Sequence, residues 1–292
     1  MGRYLVIPNG IKSETVACGL RAAQYIQEKG HEVCALLEHA AVMAPSGARV
    51  LSPEAIGGCD CAVILGGDGT VLRHVTKLAA ANLPILAINF GRLGYLAVND
   101  PSELYDCLDR VFTGRYPVET RIMLGGRLLR GPAMAAEFTA MNEAVLHRGA
   151  LSRPLSVRLT INGNYIETYV ADGMIVSTPT GSTAYNLSAG GPVLSPDMSN
   201  FVVNPICSHT MSSCPIVVSG EDVMELWLKP TPALNDANTY GPVLSADSDV
   251  QIPLCAGDRV LLFKSRCCAR MIKLKSDSFY RVLRQRLAAA GR

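Results

Sequence analysis

Short apolar stretches alternate with amphipathic stretches over the first 100 residues of the chain. Apolar positions with a helical period predict helices, whereas short apolar runs bounded by turn residues predict buried strands. Ser13 is the expected N-cap of the first helix and Gly30 its C-terminal stop. Strands are predicted over RYLVIPN, EVCALLE, CAVILGG and PILAINFG, and helices over SETVACGLRAAQYIQEKG and TVLRHVTKLAAAN. Because strands that alternate with helices pair in parallel through right-handed crossovers, residues 1–100 are predicted to form a Rossmann-like α/β domain.

The pattern changes after one more predicted helix, PSELYDCLDRVFTG. Most later apolar segments are short and lie between turn residues, which is typical of antiparallel sheets. The turn Asn162–Asn164 is a hairpin signal between two of them. Strands are predicted over EFTAMNEAVLHR, LSVRLTI, YIETYVA, MIVSTP, PIVVS, MELWLKP, DVQIPL and DRVLLFKS. Residues 101–272 are therefore predicted to form an all-β, mostly antiparallel domain.

Helical spacing returns at the end of the chain, in SDSFYRVLRQRLAAAGR. Phe279, Val282, Leu283 and Leu287 lie on or near one face of this segment. Such a face needs an apolar surface to cover it. We therefore expect residues 273–292 to form a helix that packs back on the N-terminal α/β domain.

The composition indicates a globular, unsecreted protein. Of its 292 residues, 49% are hydrophobic, which is enough for two domains with cores of their own. The sequence contains no long apolar segment of the kind that spans a membrane, and its N-terminus does not resemble a signal peptide, so we expect a cytoplasmic protein with no membrane partner. A net charge of +2 without a basic stripe indicates no nucleic-acid partner.

The ten cysteines are expected to be reduced thiols, because the chain is long and has no signal peptide. Cys59 and Cys61 lie two apart, and Cys267 and Cys268 are adjacent. Neither pair has the spacing of a zinc knuckle. We expect no metal site built from protein side chains.

The segment CAVILGGDGT contains the sharpest local motif. An apolar run enters Gly66, Gly67, Asp68 and Gly69, and Thr70 is placed to cap a following helix. Glycines and a helix N-terminus at the carboxyl end of a strand present backbone N–H groups to a phosphate. The spacing matches neither a Walker A loop nor GxGxxG. The sequence therefore predicts a phosphate loop of another kind.

Asp68 needs its own explanation, because a carboxylate at the mouth of an anion site repels phosphate. A base that accepts a proton from an attacking hydroxyl would explain it. The alternative is that Asp68 only stabilises the turn and caps the helix. The motif alone leaves both interpretations open.

A long segment of the chain is almost uncharged. In this segment, Gly173–Gly220, which we call the neutral block, the only formal charge is Asp197, although charged residues make up 18% of the protein. Such a segment is either a second wall of a nucleotide site, with hydroxyls as ligands and Tyr185 under a base, or a buried, turn-rich part of the core. Similarly, Asn142 and Glu143 interrupt an apolar strand. They either hold a ribose or mark the solvent-facing end of that strand.

Five motifs follow one another along the chain, namely GGDGT (66–70), NFGRLGYLA (89–97), NE (142–143), DGMIVSTPTGSTAYNLSAGGPVLSP (172–196) and NPICSHT (204–210). This ordered series resembles the NAD kinase family. The GGDG element also occurs in diacylglycerol kinases and phosphofructokinases, whereas the long neutral block is highly specific to NAD kinases. The resemblance extends from about residue 60 to about residue 265.

The resemblance implies an enzyme that transfers the γ-phosphoryl group of ATP, or of polyphosphate, to the 2′-hydroxyl of the adenosine ribose of NAD. Mg²⁺ or another divalent cation would accompany ATP. A homodimer or homotetramer is implied as well. Asp68 would be the proton acceptor, and Gly66, Gly67, Gly69 and Thr70 the phosphate loop. The implied NAD-binding residues are Asp68, Gly69, Leu72, Tyr95, Asn142, Glu143, Asp172, Thr183, Ala184, Tyr185, Asn186, Leu187 and Ser188.

Two positions depart from the family pattern. Ser208 stands where members usually have Pro, and Val170 stands where many bacterial members have Arg. Two other functions are compatible with part of these motifs, a lipid kinase of the diacylglycerol kinase type and a non-catalytic NAD-binding regulator. The neutral block argues against the lipid kinase, and the intact Asp68 argues against the regulator.

Overall fold

A computed structural model describes residues 1–151, 153–209, 213–230, 241–247, 250–275 and 278–290. The chain divides into two compact units. The first unit comprises Met1–Arg121 and Cys267–Arg292, and the second comprises Ile122–Arg266. Within the described ranges, no helix has both the length and the apolar content needed to cross a membrane.

Both units contain helices, although most of the helical residues belong to the first. The α-helices are α1 (Ser13–Glu28), α2 (Ala40–Met43), α3 (Asp68–Ala80), α4 (Leu104–Phe112), α5 (Tyr185–Ser188) and α6 (Ser278–Ala290). Helix α5 belongs to the second unit and the other five to the first.

The first unit is built on a parallel sheet. Its strands are β1 (Arg3–Pro8), β2 (Glu32–Leu36), β3 (Arg49–Leu51), β4 (Cys61–Gly66) and β5 (Ile85–Asn89). Their order is β5-β4-β1-β2-β3, and all pairs are parallel. Because helices cover a parallel sheet, its strands read as continuous apolar runs, and β4 is buried at every position.

The second unit contains two sheets. Its strands are β6 (Val118–Arg130), β7 (Ala133–Ala140), β8 (Glu143–His147), β9 (Leu155–Ile161), β10 (Asn164–Ala171), β11 (Gly173–Ser177), β12 (Asn200–Ile206), β13 (Ile216–Ser219), β14 (Met224–Leu228), β15 (Val243–Ala246), β16 (Val250–Pro253) and β17 (Arg259–Ile272). One sheet has the order β13-β12-β11-β8-β15-β16 and is antiparallel throughout. The remaining strands pair in the order β10-β9-β14-β17-β6-β7, and the end of β17 also pairs in parallel with β5, with Met271 opposite Ile85, so that they belong to one 11-stranded sheet with β1–β5. The predicted fold class, an α/β domain followed by a β-rich domain and a C-terminal helix, is confirmed.

The bounds of the units differ from those of the predicted domains. Residues 101–121, predicted to lie in the β domain, belong to the first unit. The reason is that Leu104, Leu108 and Val111 of α4 pack into the same apolar cluster as β1 and α1. Two strands are divided between the units. Strand β6 contributes residues 118–121 to the first unit and the remainder to the second, and β17 contributes the residues before Cys267 to the second unit and the remainder to the first.

Two predicted N-caps are corrected. Helix α1 begins at Ser13 itself, and the Lys12 that precedes it makes no side-chain cap. Helix α3 begins at Asp68, so Thr70 lies inside its first turn rather than before it. The Thr70 hydroxyl instead accepts a hydrogen bond of 3.2 Å from the Asn9 amide. The C-terminal stop of α1 at Gly30 is confirmed by its left-handed φ of 79°.

The strand predicted over EFTAMNEAVLHR is two strands, β7 and β8, which are separated by Met141 and Asn142. Strands β3, β6, β12 and β15 were not predicted. The hairpin between β9 and β10 is confirmed, with Asn162 at a φ of 51° and Gly163 at 78°. These two positive values are those of the type I′ turn that suits a two-residue hairpin.

A buried histidine on α3 makes the stability of the protein depend on pH. Burial lowers the pKa of His74, which is 2% exposed, from its usual 6.5 to about 4. Between these values the unfolded chain binds more protons than the folded protein, so stability falls as the pH falls. We expect the loss to reach roughly 2–3 kcal/mol by pH 4 relative to His74→Leu, which cannot ionise.

The measurement is the free energy of unfolding of both proteins from about pH 7 to about pH 4. The matched control is His209→Gln, because His209 is exposed. Equal acid sensitivity of wild type and His74→Leu would show that His74 is not the origin of the effect.

Candidate active site

The predicted phosphate loop connects β4 to α3 in the first unit. Gly67 precedes the helix, and Asp68 and Gly69 are its first two residues. The amides of a first helical turn have no acceptor within the helix, and they lie at its positive end. The loop therefore has the geometry of an anion site at the carboxyl end of a parallel strand.

The carboxylate of Asp68 is fixed by a second loop of the same unit. Its Oδ2 accepts a hydrogen bond of 2.8 Å from the Tyr95 amide, and its Oδ1 accepts bonds from Leu96 and Ala97 of 3.1 and 2.9 Å. A carboxylate has about four acceptor positions, two on each oxygen. Described residues occupy three of them, which leaves one acceptor position, on Oδ2.

The glycines around Asp68 differ in what surrounds them. A Cβ at Gly66 would collide with the Thr70 side chain, and a Cβ at Gly94 would collide with the Asp68 carboxylate. By contrast, a Cβ at Gly69 would have nothing within 4 Å. Gly66 and Gly94 are therefore required by the protein's own packing, whereas packing places no such requirement on Gly69.

Tyr95 and Leu72 also belong to this unit. Leu72 is half-buried on α3. The Tyr95 ring lies 5.7 Å from that of Phe279, and its buried hydroxyl has no hydrogen-bond partner within the described ranges. Burial raises the pKa of Tyr95.

A cleft of about 630 Å³ in the second unit contains three of the sequence-predicted residues. Glu143 begins β8, Asp172 lies between β10 and β11, and Tyr185 begins α5. Tyr185 is 44% exposed, which leaves its ring available to a ligand. These three residues, far apart in the sequence, are thus brought to one cavity.

Glu143 is the most perturbed group of this cleft. Its side chain is 9% exposed, and its Oε2 has no hydrogen-bond partner among the described residues. Burial, together with the charge of Asp247, raises the pKa of Glu143 to about 8. At neutral pH the group is therefore mainly a neutral acid, which can donate a hydrogen bond.

Asp172 is paired with a cation that the sequence analysis missed. Its Oδ1 lies 2.9 Å from Nε of Arg148, at the end of β8. Arg148 thus supplies the positive charge beside Asp172 that other family members were expected to carry at position 170. Val170 is 39% exposed and is the penultimate residue of β10.

The neutral block is partly core and partly cleft wall. Thr178, Ser182 and Asn186 are fully buried and bond to the protein itself. The Ser182 hydroxyl donates to the Pro179 carbonyl at 2.6 Å and accepts from the Leu194 amide at 2.9 Å. The Asn186 amide donates to the Ser182 and Pro192 carbonyls. Gly181 lies so close to the Asn142 backbone that it has no room for a Cβ.

The remaining predicted residues of the block lie near this wall. Thr183, Ala184 and Leu187 are half-buried, and Ser188 is exposed. Asn142 is half-buried beside Glu143. Sequence reasoning missed several residues that line the cleft, namely Val145, His147, Arg148, Gly149, Ile206, Cys207, Ser245 and Asp247. His147 and Arg148 could have been identified as candidates, because they are polar residues at the end of a predicted strand.

No three His, Cys, Asp or Glu side chains converge on a possible metal position in the part of the chain that the structure describes.

Burial lowers the pKa of His147, which lines the cleft. His147 Nδ1 accepts a hydrogen bond of 3.3 Å from the Gly149 amide. This bond joins His147, the last residue of β8, to the turn that follows.

Comparisons with known proteins agree over nearly the whole chain. The family model of the ATP-NAD kinase N-terminal domain matches residues 11–116, and that of the C-terminal domain matches residues 141–274. An NAD kinase of Moorella thermoacetica is 36% identical over 100% of this chain and 91% of its own length. An NAD kinase of Symbiobacterium thermophilum is 37% identical over 99% of both chains.

Two solved structures share the fold. A yeast NADH kinase in complex with NADH has a TM-score of 0.87 at 22% identity, covering 99% of this chain and 88% of its own. An NAD kinase from Archaeoglobus fulgidus in complex with ATP has a TM-score of 0.73 at 24% identity, covering 97% and 98%. With the glycine loop in the matched N-terminal region and the cleft in the matched C-terminal region, these similarities show that the chain belongs to the NAD kinase family.

Proposed function

We propose that this protein phosphorylates NAD to NADP, by transferring the γ-phosphoryl group of ATP to the 2′-hydroxyl of the adenosine ribose. The observation that carries the proposal is the fixed position of the Asp68 carboxylate. Asp68 begins α3, and three backbone amides of the Tyr95–Ala97 loop hold its carboxylate in place. Family membership supplies the reaction, and this geometry supplies a base in a fixed position.

Asp68 accepts the proton of the 2′-hydroxyl through Oδ2, the oxygen with an acceptor position left. A fixed base lowers the barrier because proton transfer then needs no search for the correct orientation. The proton leaves as the hydroxyl oxygen attacks the γ-phosphorus, and ADP departs with the electron pair of the broken bond.

Gly66, Gly67, Gly69 and Thr70 form the phosphate loop in this proposal. The amides of the first turn of α3 bond to phosphate oxygens, and the helix end stabilises their negative charge. The open space at Gly69 is then the space that the phosphates approach.

The proposed NAD-binding residues include members of each unit. Leu72 and Tyr95 supply apolar surface, and Glu143, Asp172 and Tyr185 line the cleft. Tyr185 offers its ring to a base. The remaining proposed contacts come from Asp68, Gly69, Asn142, Thr183, Ala184, Asn186, Leu187 and Ser188. Because the Asn186 side chain is committed to the protein, its contact to NAD would come from its backbone.

Mg²⁺ or another divalent cation accompanies ATP in this reaction, where it neutralises charge on the phosphates. Mg²⁺ prefers phosphate, carboxylate and water oxygens. The Asp68 carboxylate already accepts three hydrogen bonds, so phosphates and water would supply most of the ligands of the cation. Polyphosphate is the alternative donor. We further propose that the protein acts in the cytoplasm as a homodimer or homotetramer.

The test is to incubate the purified protein with NAD, ATP and MgCl₂ and to measure NADP with an NADP-specific dehydrogenase. Parallel reactions replace NAD by NADH, ATP by polyphosphate, or NAD by diacylglycerol. NADP formation that requires the divalent cation supports the proposal. Phosphorylation of the lipid without formation of NADP would contradict it.

Gly69→Ala tests the phosphate loop separately. The new methyl group meets no described atom outside its own helical turn, and Ala is favoured over Gly in a helix by up to about 1 kcal/mol, so thermal stability is expected to be kept or raised. Catalysis is expected to suffer, with kcat/KM for ATP lowered by about tenfold, because the methyl group occupies the approach of the phosphates. Steady-state kinetics together with a thermal melt measures both effects. Unchanged kinetics would place the phosphates elsewhere.

A further inference from the structure

The turn between β7 and β8 closes around one carboxylate from a distant part of the chain. Asp247 Oδ1 accepts hydrogen bonds from the amides of Asn142 and Glu143, at 2.8 and 3.2 Å, and Oδ2 accepts one from Met141. In return, the Asp247 amide donates to the Glu143 carbonyl at 3.2 Å. Three successive amides therefore point at a single anion, as in a backbone nest.

The sheet explains how Asp247 reaches this turn. Strand β15 pairs with β8, with Ala246 opposite Ala144, so the residue after β15 meets the residues before β8. Asp247 has a φ of 48°, in the left-handed region, which is uncommon for a residue with a side chain but tolerated by Asp. The local backbone thus directs the carboxylate into the turn.

Glu143 follows this turn directly and projects into the cleft. Its carboxyl is nine-tenths buried, with Oε2 lacking a hydrogen-bond partner among the described residues. Asp247 lines the same cleft. If Glu143 were ionised, its negative charge would add to that of Asp247 and would repel a dinucleotide, whose pyrophosphate is anionic.

We propose that Asp247 is a positioning residue for NAD. It fixes the Met141–Glu143 backbone and presents a like charge to the Glu143 carboxyl, so that Glu143 donates a hydrogen bond to bound NAD. The inference rests on the proposed NAD kinase function. It adds to that function that Glu143 is protonated and donates the hydrogen bond to NAD. It also names Asp247 as the residue that sets both properties.

The raised pKa of Glu143, about 8, supports this arrangement. Burial is its larger cause and the charge of Asp247 the smaller. Other titratable or charged groups line the same cleft, on β8 and on the segments next to β11, β12 and α5. They are His147, Arg148, Asp172, Cys207 and Tyr185. Among these, Arg148 and Asp172 neutralise each other as an ion pair.

The first experiment compares Asp247→Asn with Asp222→Asn, using calorimetry to measure the Kd for NAD. Asp222 is the matched control, because it also accepts a backbone bond in a turn of the second unit, from Ser219 at 2.9 Å, but does not line the cleft. Asn tolerates a left-handed φ, so Asp247→Asn is compatible with the φ of this residue. Its NH₂ group replaces one of the two accepting oxygens, so at least one amide of the turn loses its acceptor. We expect it to raise Kd by about tenfold, the equivalent of one ordinary hydrogen bond, and the control to leave Kd within about twofold.

The second experiment follows the same Kd from about pH 6 to about pH 9.5. Wild type is expected to bind NAD more weakly as Glu143 ionises near pH 8. In Asp247→Asn the weakening is expected at lower pH, because one of the two causes of the raised pKa is removed. Asp222→Asn should leave the midpoint in place, and Glu143→Gln, which cannot ionise, should abolish the step.

The outcomes separate this inference from the function on which it rests. A wild type that binds NAD with a pH-independent Kd, or more tightly at high pH, overturns the inference and leaves the kinase function intact; this needs no variant to fold. Equal effects of Asp247→Asn and Asp222→Asn on Kd and on the midpoint overturn it as well. A wild type that binds no NAD overturns the proposed function and the inference together.

Discussion

Asp68→Asn is expected to lower kcat by about 10²- to 10⁴-fold, because the amide cannot accept the proton of the 2′-hydroxyl. The substitution also replaces an acceptor with an NH₂ group that must face a backbone N–H of the Tyr95–Ala97 loop. An unsatisfied buried group of this kind costs about 1–3 kcal/mol of stability. The variant should therefore be both slower and less stable.

Kinetics at saturating NAD and ATP, combined with a thermal melt and a Kd for NAD, separates the two effects. A role as base predicts a large loss of kcat at temperatures where the variant is fully folded, with a smaller change in Kd. Near-normal turnover at saturation, with weakened binding, would show that Asp68 is structural.

Gly94→Ala displaces the same carboxylate without changing its chemistry. An added Cβ would lie well within 3.0 Å of three carboxyl atoms of Asp68, which the amides of the next three residues hold in place. One of the two must move. Because a displacement of about 1 Å of a catalytic group can cost about 10²-fold, we expect a loss of that size in kcat.

Gly91→Ala is the matched control, because it makes the same change in the same loop. Its Cβ would meet only the Asn89 side chain at 3.8 Å, an ordinary contact. Steady-state kinetics of both variants should show kcat within about twofold of wild type for Gly91→Ala. If Gly94→Ala turned over as fast as Gly91→Ala, the exact position of the Asp68 carboxylate would not limit the reaction.

Local patterns predicted the elements whose signals are local. Strands β1, β2, β4 and β5 are continuous apolar runs, and their alternation with α1 and α3 sufficed to predict the α/β unit. The Asn162–Gly163 turn carries its backbone requirement in its residue types. Asp68 could be singled out because a carboxylate among phosphate-loop glycines is chemically out of place.

Strand β6 was missed because Gly125 and Gly126 interrupt it and read as a turn. In the structure, a Cβ at either position would collide with an aromatic ring, that of Phe263 or Phe138. These glycines therefore mark a close approach of a ring to the strand, not a loop. The same strand pairs with β7, in a register that shifts between Leu128 and Leu129.

Long-range partners were beyond the reach of the sequence. Asp247 bonds to amides more than 100 positions earlier, so nothing near it indicates a role at Glu143. The Arg148–Asp172 pair likewise joins the end of β8 to the connection between β10 and β11. A local pattern shows that a residue is polar, but the partner that decides its chemistry comes from the sheet register.

The buried hydroxyl and amide bonds of the neutral block have a consequence for the energetics of recognition. Ser182, Thr178 and Asn186 satisfy the turns around Tyr185 before any dinucleotide arrives. Ordering a loop or a side chain on association costs conformational entropy, at about 0.5–1.5 kcal/mol for each immobilised side chain. Because the internal bonds of this cleft wall are already made, the wall has little conformational entropy left to lose when a ligand binds. A larger share of the free energy of each contact with the ligand then appears as affinity.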